Sequence, residues 1–156
     1  MNFMDSEIKT ILIVDDSPKD VELTMAALSE NHLINDIVVA EDGIEALDFL
    51  YKRGKFTGFQ NNIPVVILLD IKMPRMNGIE VLKHIRTSPK FMTIPVIMVT
   101  SSGDEKDLIE SYALGANSYV VKPIDIVQFI AAIKSVGQYW AVINKVPIMH
   151  QDIFKF

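Results

Sequence analysis

Asp15-Asp16, Asp70, Thr100-Ser101 and Lys122-Pro123 bring carboxylates, hydroxyls and an ammonium to points where apolar runs give way to loops. Each segment follows a strand-like run, at residues 10–14, 65–69, 96–99 and 117–121. If these runs are parallel strands of one sheet, the segments open on one edge and meet there although far apart in sequence. Three carboxylates gathered at such an edge repel one another, by about 4 kcal/mol per pair at about 4 Å and an effective dielectric of about 20. A hard dication relieves that repulsion, and an oxygen-only donor set suits Mg²⁺. One aspartate as nucleophile, a dication and an ammonium at the phosphoryl oxygens, and one hydroxyl donor make a minimal site for phosphoryl transfer. An ionised carboxylate needs no general base, and His32, His84 and His150 fall on predicted helices or the tail as bystanders.

Taken singly, each residue has a plainer reading. Asp15 or Asp16 caps the next helix while the other faces water, and Asp70 is a loop residue or a cap. Lys122 is an exposed charge at a strand end. Thr100 is a capping hydroxyl, a role Ser101 or Ser102 would fill as well. Only their convergence favours chemistry.

The elements that must position them alternate strand and helix five times. Residues 10–14 and 65–69 are short, continuously apolar and rich in branched residues, as strands covered on both faces are. Ser17-Pro18 opens a first helix with Val21, Met25 and Leu28 inward. Residues 36–40 read as a second strand, and Asp42-Gly43 leads into a helix carrying Ile44, Leu47 and Leu50. After a long connection over residues 52–64 and the third strand, Met73-Pro74 and Asn77-Gly78 punctuate a loop. The helix that follows turns Val81, Leu82 and Ile85 inward. A fourth helix runs from Gly103-Asp104 to Leu114, with Gly115 as its C-terminal cap. Asp125 caps a final helix that Pro147 must end. This alternation predicts an α/β, doubly wound, five-stranded parallel sheet with right-handed crossovers.

Composition narrows the function. The 156 residues suit one domain with a real core. A formal net charge of −5 disfavours nucleic acid as a partner, and no apolar run approaches membrane-spanning length. The basic stretch Tyr51-Lys52-Arg53-Gly54-Lys55 reads as a solvated surface. There is no cysteine, hence no disulfide, thiolate site or Cys nucleophile. Met1 to Glu7 lacks the charged and apolar blocks of a signal peptide, so a cytoplasmic location is expected.

In this order and at these strand ends the residues resemble the receiver domains of bacterial two-component response regulators. The matching segments are Leu12-Ile13-Val14-Asp15-Asp16, Asp42-Gly43-Ile44-Glu45-Ala46-Leu47, Leu69-Asp70-Ile71-Lys72-Met73-Pro74, Asn77-Gly78, Val99-Thr100-Ser101 and Ala113-Leu114-Gly115-Ala116-Asn117-Ser118-Tyr119-Val120-Val121-Lys122-Pro123. The resemblance covers residues 10–138, leaving an N-terminal tail at 1–9 and a C-terminal helix extension and tail at 139–156. It implies a flavodoxin-like fold with strand order 2-1-3-4-5, and it implies that Asp70 is phosphorylated by a partner histidine kinase. It further implies that Asp16, Asp70 and the backbone carbonyl of Lys72 ligate Mg²⁺, with Asp15 acting through water. Thr100 and Lys122 then grip the phosphoryl group, Tyr119 is the aromatic switch, and the Lys122–Pro123 bond is cis. Switching would bias the face made by the fourth helix, fifth strand and fifth helix.

The long 52–64 connection, Ser111-Tyr112-Ala113-Leu114-Gly115-Ala116-Asn117 and the apolar segment from Gln138 to Pro147 are similar to the single-domain receivers serving cyanobacterial-type bacteriophytochromes. A phytochrome kinase is then the implied phosphodonor, and a downstream protein or a phosphorelay partner the implied target. Lys72, two residues after Asp70, is a cation at a place that could alter access of water or a phosphatase.

The last helix carries Phe129, Ile130, Ile133, Val136 and Trp140 on one stripe, while Tyr139, Val142, Ile143 and Val146 continue an apolar surface beyond it. One helix cannot bury all of these against one sheet. The extension either folds back on its own domain or forms a homodimer patch around Trp140 and the fourth and fifth helices.

Two other functions compete with a phospho-accepting switch. An aspartyl phosphohydrolase or phosphotransferase would resemble a pattern with a second aspartate two residues after the nucleophile, where Lys72 stands. A flavin carrier would need a Ser/Thr/Gly-rich phosphate loop where Asp15-Asp16-Ser17-Pro18 would repel the phosphate.

Overall fold

The computed structural model describes residues 9–30, 36–61, 63–123, 125, 127, 128 and 131. Its strands are β1 (Thr10–Val14), β2 (Asp36–Ala40), β3 (Val66–Leu69), β4 (Val96–Thr100) and β5 (Ser118–Val121). The helices are α1 (Pro18–Glu30), α2 (Gly43–Tyr51), α3 (Gly78–Thr87) and α4 (Glu105–Ala113), with a 3-10 turn at Gly54–Phe56. The sheet is parallel throughout in the order β2-β1-β3-β4-β5, as the alternation and the resemblance predict.

Alternation along the strands builds two cores. Leu12, Val14, Ile67, Leu69, Val96 and Met98 point to one face, where Ala46, Leu47 and Leu50 of α2 and Val81, Leu82 and Ile85 of α3 cover them. Ile11, Ile13, Val66, Leu68, Ile97, Val99 and Val120 point to the other, against Leu28 and Val21 of α1. Strands covered on both faces bury apolar residues at nearly every position, which is why these runs show no polar alternation.

Several expectations need correction. Met25 of α1 is 38 % exposed, and the buried stripe is continued instead by Thr24 beside Leu28. Ile44 is only half-buried, while Ala46 and Phe49 are buried. Val65 lies one step before β3, though its N–H still bonds the carbonyl of Thr10. The stretch 51–55 is a solvated surface as expected, every residue but Lys52 being exposed, and it carries contacts that the sequence did not indicate. Arg53 pairs with Asp48 at 2.9 Å, Lys55 pairs with Glu45 at 3.2 Å, and the Lys52 ammonium lies 3.8 Å from the Phe49 ring centre. Phe56 of the 3-10 turn is buried edge-on against Phe49, so the connection is anchored from within.

Asp125 accepts the N–H of Val127 at 2.7 Å, as a helix cap does, and Val127, Gln128 and Ala131 are helical. Phe129, Ile130, Ile133, Val136, Trp140, the extension beyond it, Pro147, His32 and His150 lie outside the described residues. Among the described residues no helix is long and apolar enough to cross a membrane.

Candidate functional site

The β-ladder carries on past the strands and sets the site backbone. Val14 pairs with Leu69, and one step further the N–H of Asp70 bonds the carbonyl of Val14 at 2.9 Å. The N–H of Asp15 bonds the carbonyl of Ala40 at 3.0 Å, and that of Lys122 bonds the carbonyl of Thr100 at 2.8 Å. Asp15 and Asp70 are therefore held side by side by main-chain bonds, not by any attraction between their carboxylates.

Carboxylate oxygens of Asp15, Asp16 and Asp70 lie within 4.8 Å of one another. Asp15 and Asp70 are buried and Asp16 is exposed. One oxygen of Asp15 accepts the N–H of Ser17 at 2.9 Å, and one of Asp70 accepts the N–H of Ile71 at 2.8 Å. Lys122 joins the cluster from β5: its Nζ lies 2.7 Å from Asp15, 2.9 Å from Asp20 and 3.3 Å from Asp70. Burial pushes the Asp70 carboxyl above the usual carboxylate range and Asp15 adds to the push, while Lys122 opposes it. Burial pulls the Lys122 ammonium down, but the hydrogen bonds to Asp15 and Asp20 and the charge of Asp70 outweigh it and hold Lys122 above the usual lysine range.

Asp20 is a partner that the sequence reading missed. A signal was present: Ser17 and Asp20 stand three apart at a helix start, the spacing of a capping box. Ser17 Oγ does accept the N–H of Asp20, at 3.3 Å. The reciprocal bond is absent, because the N–H of Ser17 is taken by Asp15. That leaves the Asp20 carboxylate to Lys122, whose contact holds it below the usual range.

The loop after Asp70 is pinned on both sides. A Cβ on Gly78 would fall 2.0 Å from the carbonyl oxygen of Asp70, so only glycine lets α3 start this close. Its N–H bonds the carbonyl of Ile71 at 2.8 Å, and Asn77 and Glu80 form a reciprocal capping box. Arg75, at a φ of 65°, donates to Asp42 at 2.7 and 3.1 Å. Asp42 also caps α2 by accepting the N–H of Glu45 at 2.8 Å. Burial pushes the Asp42 carboxyl up, but Arg75 and that N–H outweigh it, so it titrates below the usual range. A carboxyl lowered by folding stabilises above its unfolded pKa, and this stability is lost as pH falls through the lower folded value. Asp42→Ala should therefore cost about 1–2 kcal/mol at pH 7 and flatten the acid limb of stability against pH. An unchanged urea midpoint at pH 7 would count against the tether.

Thr100 is fully buried. Its Oγ1 accepts the N–H of Ser102 at 3.1 Å, and the Tyr119 hydroxyl donates to the carbonyl of Ser102 at 2.9 Å. The two residues are thus joined through one peptide segment, a role for Ser102 that the sequence reading did not assign. Ser102 Oγ in turn donates to Asp107 of α4 at 2.8 Å. The Lys122–Pro123 bond is cis, as the resemblance implies. Lys72 is exposed and lines an open hollow with Met73, Asn77, Glu80, Asp107 and Glu110.

Converging oxygen donors, two of them buried and one open to solvent, are a chemical fit for a divalent cation. Comparisons with known proteins agree with this geometry. The model of the response regulator receiver domain matches residues 11–134. The bacteriophytochrome response regulator RtBRR superposes with a TM-score of 0.80 and 46% identity, over 94% of this chain and 88% of that one. Response regulator Rcp1 of Synechocystis sp. is 32% identical over 132 residues, 85% of this chain and 88% of its own. A Mn(2+)-bound form of Rcp1 gives a TM-score of 0.70 at 31% identity, covering 89% of this chain and 97% of that one. The phosphorylated cyanobacterial phytochrome response regulator RcpA gives 0.71 at 31% identity, covering 86% and 95%. The chain belongs to the response regulator receiver domain family. It is a signalling protein of two-component systems, in a family whose receiver domains accept a phosphoryl group from a histidine kinase on an aspartate, and its acidic cluster is consistent with divalent metal binding.

Proposed function

We propose that Asp70 is the phosphoacceptor and that a phytochrome-type histidine kinase is the donor. The carrying observation is the position of Asp70: buried at the end of β3, with Lys122 on one side and two further carboxylates within 4.8 Å. An oxygen of Asp70 attacks the phosphorus of the donor; the new P–O bond forms as the P–N bond to the kinase histidine breaks, and the imidazole leaves. Asp16, Asp70 and the backbone carbonyl of Lys72 would hold Mg²⁺, with Asp15 acting through water. When bound, the cation supplies charge neutralisation at the phosphoryl oxygens. Lys122 supplies a second positive charge there, and Thr100 donates its hydroxyl hydrogen, which the bond from Ser102 leaves free. The same machinery accepts phosphoryl groups from small donors and releases phosphate to water, without turning over another substrate.

Phosphorylation adds charge and acceptor oxygens beside Lys122 and Thr100. Drawing Thr100 toward the phosphate strains its bond to Ser102, and through the Ser102 carbonyl reaches Tyr119. The output is then a repacking of α4 and β5, read by a partner protein, a phosphorelay histidine or a second copy of the chain.

Two experiments test these parts. Incubation with an autophosphorylated phytochrome kinase should move label to this chain faster than incubation with unrelated histidine kinases; preference for an unrelated kinase would contradict the donor assignment. Tyr119→Phe should cost about 1 kcal/mol of local stability by removing the bond to Ser102. Phosphorylation by acetyl phosphate should persist in that variant, while the phosphorylation-induced change in amide exchange over residues 102–107 shrinks. An exchange response equal to wild type would show that the hydroxyl is not the link.

A further inference from the structure

We propose that Asp20 is a positioning residue for phosphoryl transfer, fixing the Lys122 ammonium over Asp70 from the first turn of α1. This rests on the reading of Asp70 as the phosphoacceptor. A lysine ammonium has three N–H donors and no fixed fork, so its direction is set by whatever accepts from it. Here the acceptors come from three elements: Asp15 after β1, Asp20 in α1 and Asp70 after β3. Two of these carboxylates have other duties. Asp70 must receive the phosphoryl group, and Asp15 belongs to the acidic cluster that can hold a cation. Asp20 stands outside that cluster, so it is the acceptor that stays with Lys122 while the other two change partners.

The local backbone explains why Asp20 is available. It occupies the third position of α1, where an acidic residue ordinarily reaches back to the capping residue's own N–H. That N–H, on Ser17, already donates to Asp15 at 2.9 Å, and Asp20 turns to Lys122 at 2.9 Å instead. The Asp20 backbone is held by the bond from its N–H to Ser17 Oγ, which places the carboxylate on rigid helix rather than loop. The lysine side chain is 12 % exposed and the Asp20 side chain 36 %, so the contact sits at the mouth of the site, with the ammonium inside it. A long side chain anchored at its tip loses less freedom when the phosphoryl group arrives.

The test is a comparison of Asp20→Ala, Asp20→Glu and Lys122→Ala, each phosphorylated with acetyl phosphate at saturating Mg²⁺. Asp20→Ala should slow phosphorylation about tenfold at unchanged half-saturating Mg²⁺, because a mispositioned group costs rate rather than metal affinity. Asp20→Glu, which keeps the charge within reach, should recover most of the loss. In the Lys122→Ala background, Asp20→Ala should have no further effect, since its influence passes through the lysine. Unchanged or faster phosphorylation in Asp20→Ala, or a full further loss in the Lys122→Ala background, would overturn the proposal. A wild-type chain that takes no label on Asp70 would instead refute the phosphoacceptor assignment on which it rests.

Discussion

Asp70→Asn is expected to abolish acid-labile labelling by acetyl phosphate, while the fold is kept. The amide retains the shape and can still meet the N–H of Ile71, which in the wild type bonds the carboxylate at 2.8 Å. Its neutral amide oxygen is too weak a nucleophile to attack a phosphorus atom. The same variant carries a thermodynamic prediction. Burial pushes the Asp70 carboxyl up, so its ionisation costs the folded state as pH rises through the usual carboxylate range toward the higher folded value. Without divalent cation at neutral pH, Asp70→Asn should therefore melt above the wild type. A divalent cation binds the ionised cluster and should stabilise the wild type far more than the variant. Persistent labelling in the variant, or a lower melting temperature in chelator, would contradict the assignment of Asp70 or of its strained charge.

Gly78→Ala is expected to produce the largest loss of stability of any conservative change near the site. Its methyl group would fall 2.0 Å from the carbonyl oxygen of Asp70 and 2.8 Å from the carbonyl carbon, and both obstacles are backbone. Neither can rotate aside as a side chain would, so α3 or the end of β3 must move. The cost should be about 2–3 kcal/mol by urea unfolding. Because the displaced atom belongs to Asp70 itself, phosphorylation should slow as well. A variant with wild-type stability would mean that the approach of α3 to β3 is looser than described.

The parallel sheet and the convergence of Asp15, Asp16, Asp70 and Lys122 were legible in the sequence, because each depends on local pattern plus a topological rule, while the strand order came from the family resemblance. A run such as residues 96–99, buried on both faces, is apolar at every position, and parallel strands deliver their ends to one edge. What escaped depends on which of several equivalent partners a polar group takes. Asp20 carries the spacing of a helix cap, and only the capture of the Ser17 N–H by Asp15 redirects it to Lys122. Ser102 is one of two adjacent serines after Thr100, and nothing in their order marks it as the segment bonded to both Thr100 and Tyr119. Thr24 displaces Met25 from the buried stripe of α1 because a small residue three after Val21 continues the stripe to Leu28. Phe56 in a Gly-containing connection looked like loop, yet its ring is held by Phe49 and Phe59.

The most direct test is a crystal structure of the chain grown with Mg²⁺ and beryllofluoride, a mimic of the phosphoryl group. The expected result is the adduct on a carboxylate oxygen of Asp70, with the Thr100 hydroxyl and the Lys122 ammonium on its fluorines and Lys122 still bonded to Asp20. An unmodified Asp70 at saturating beryllofluoride, or an adduct on another carboxylate, would contradict the account at its centre.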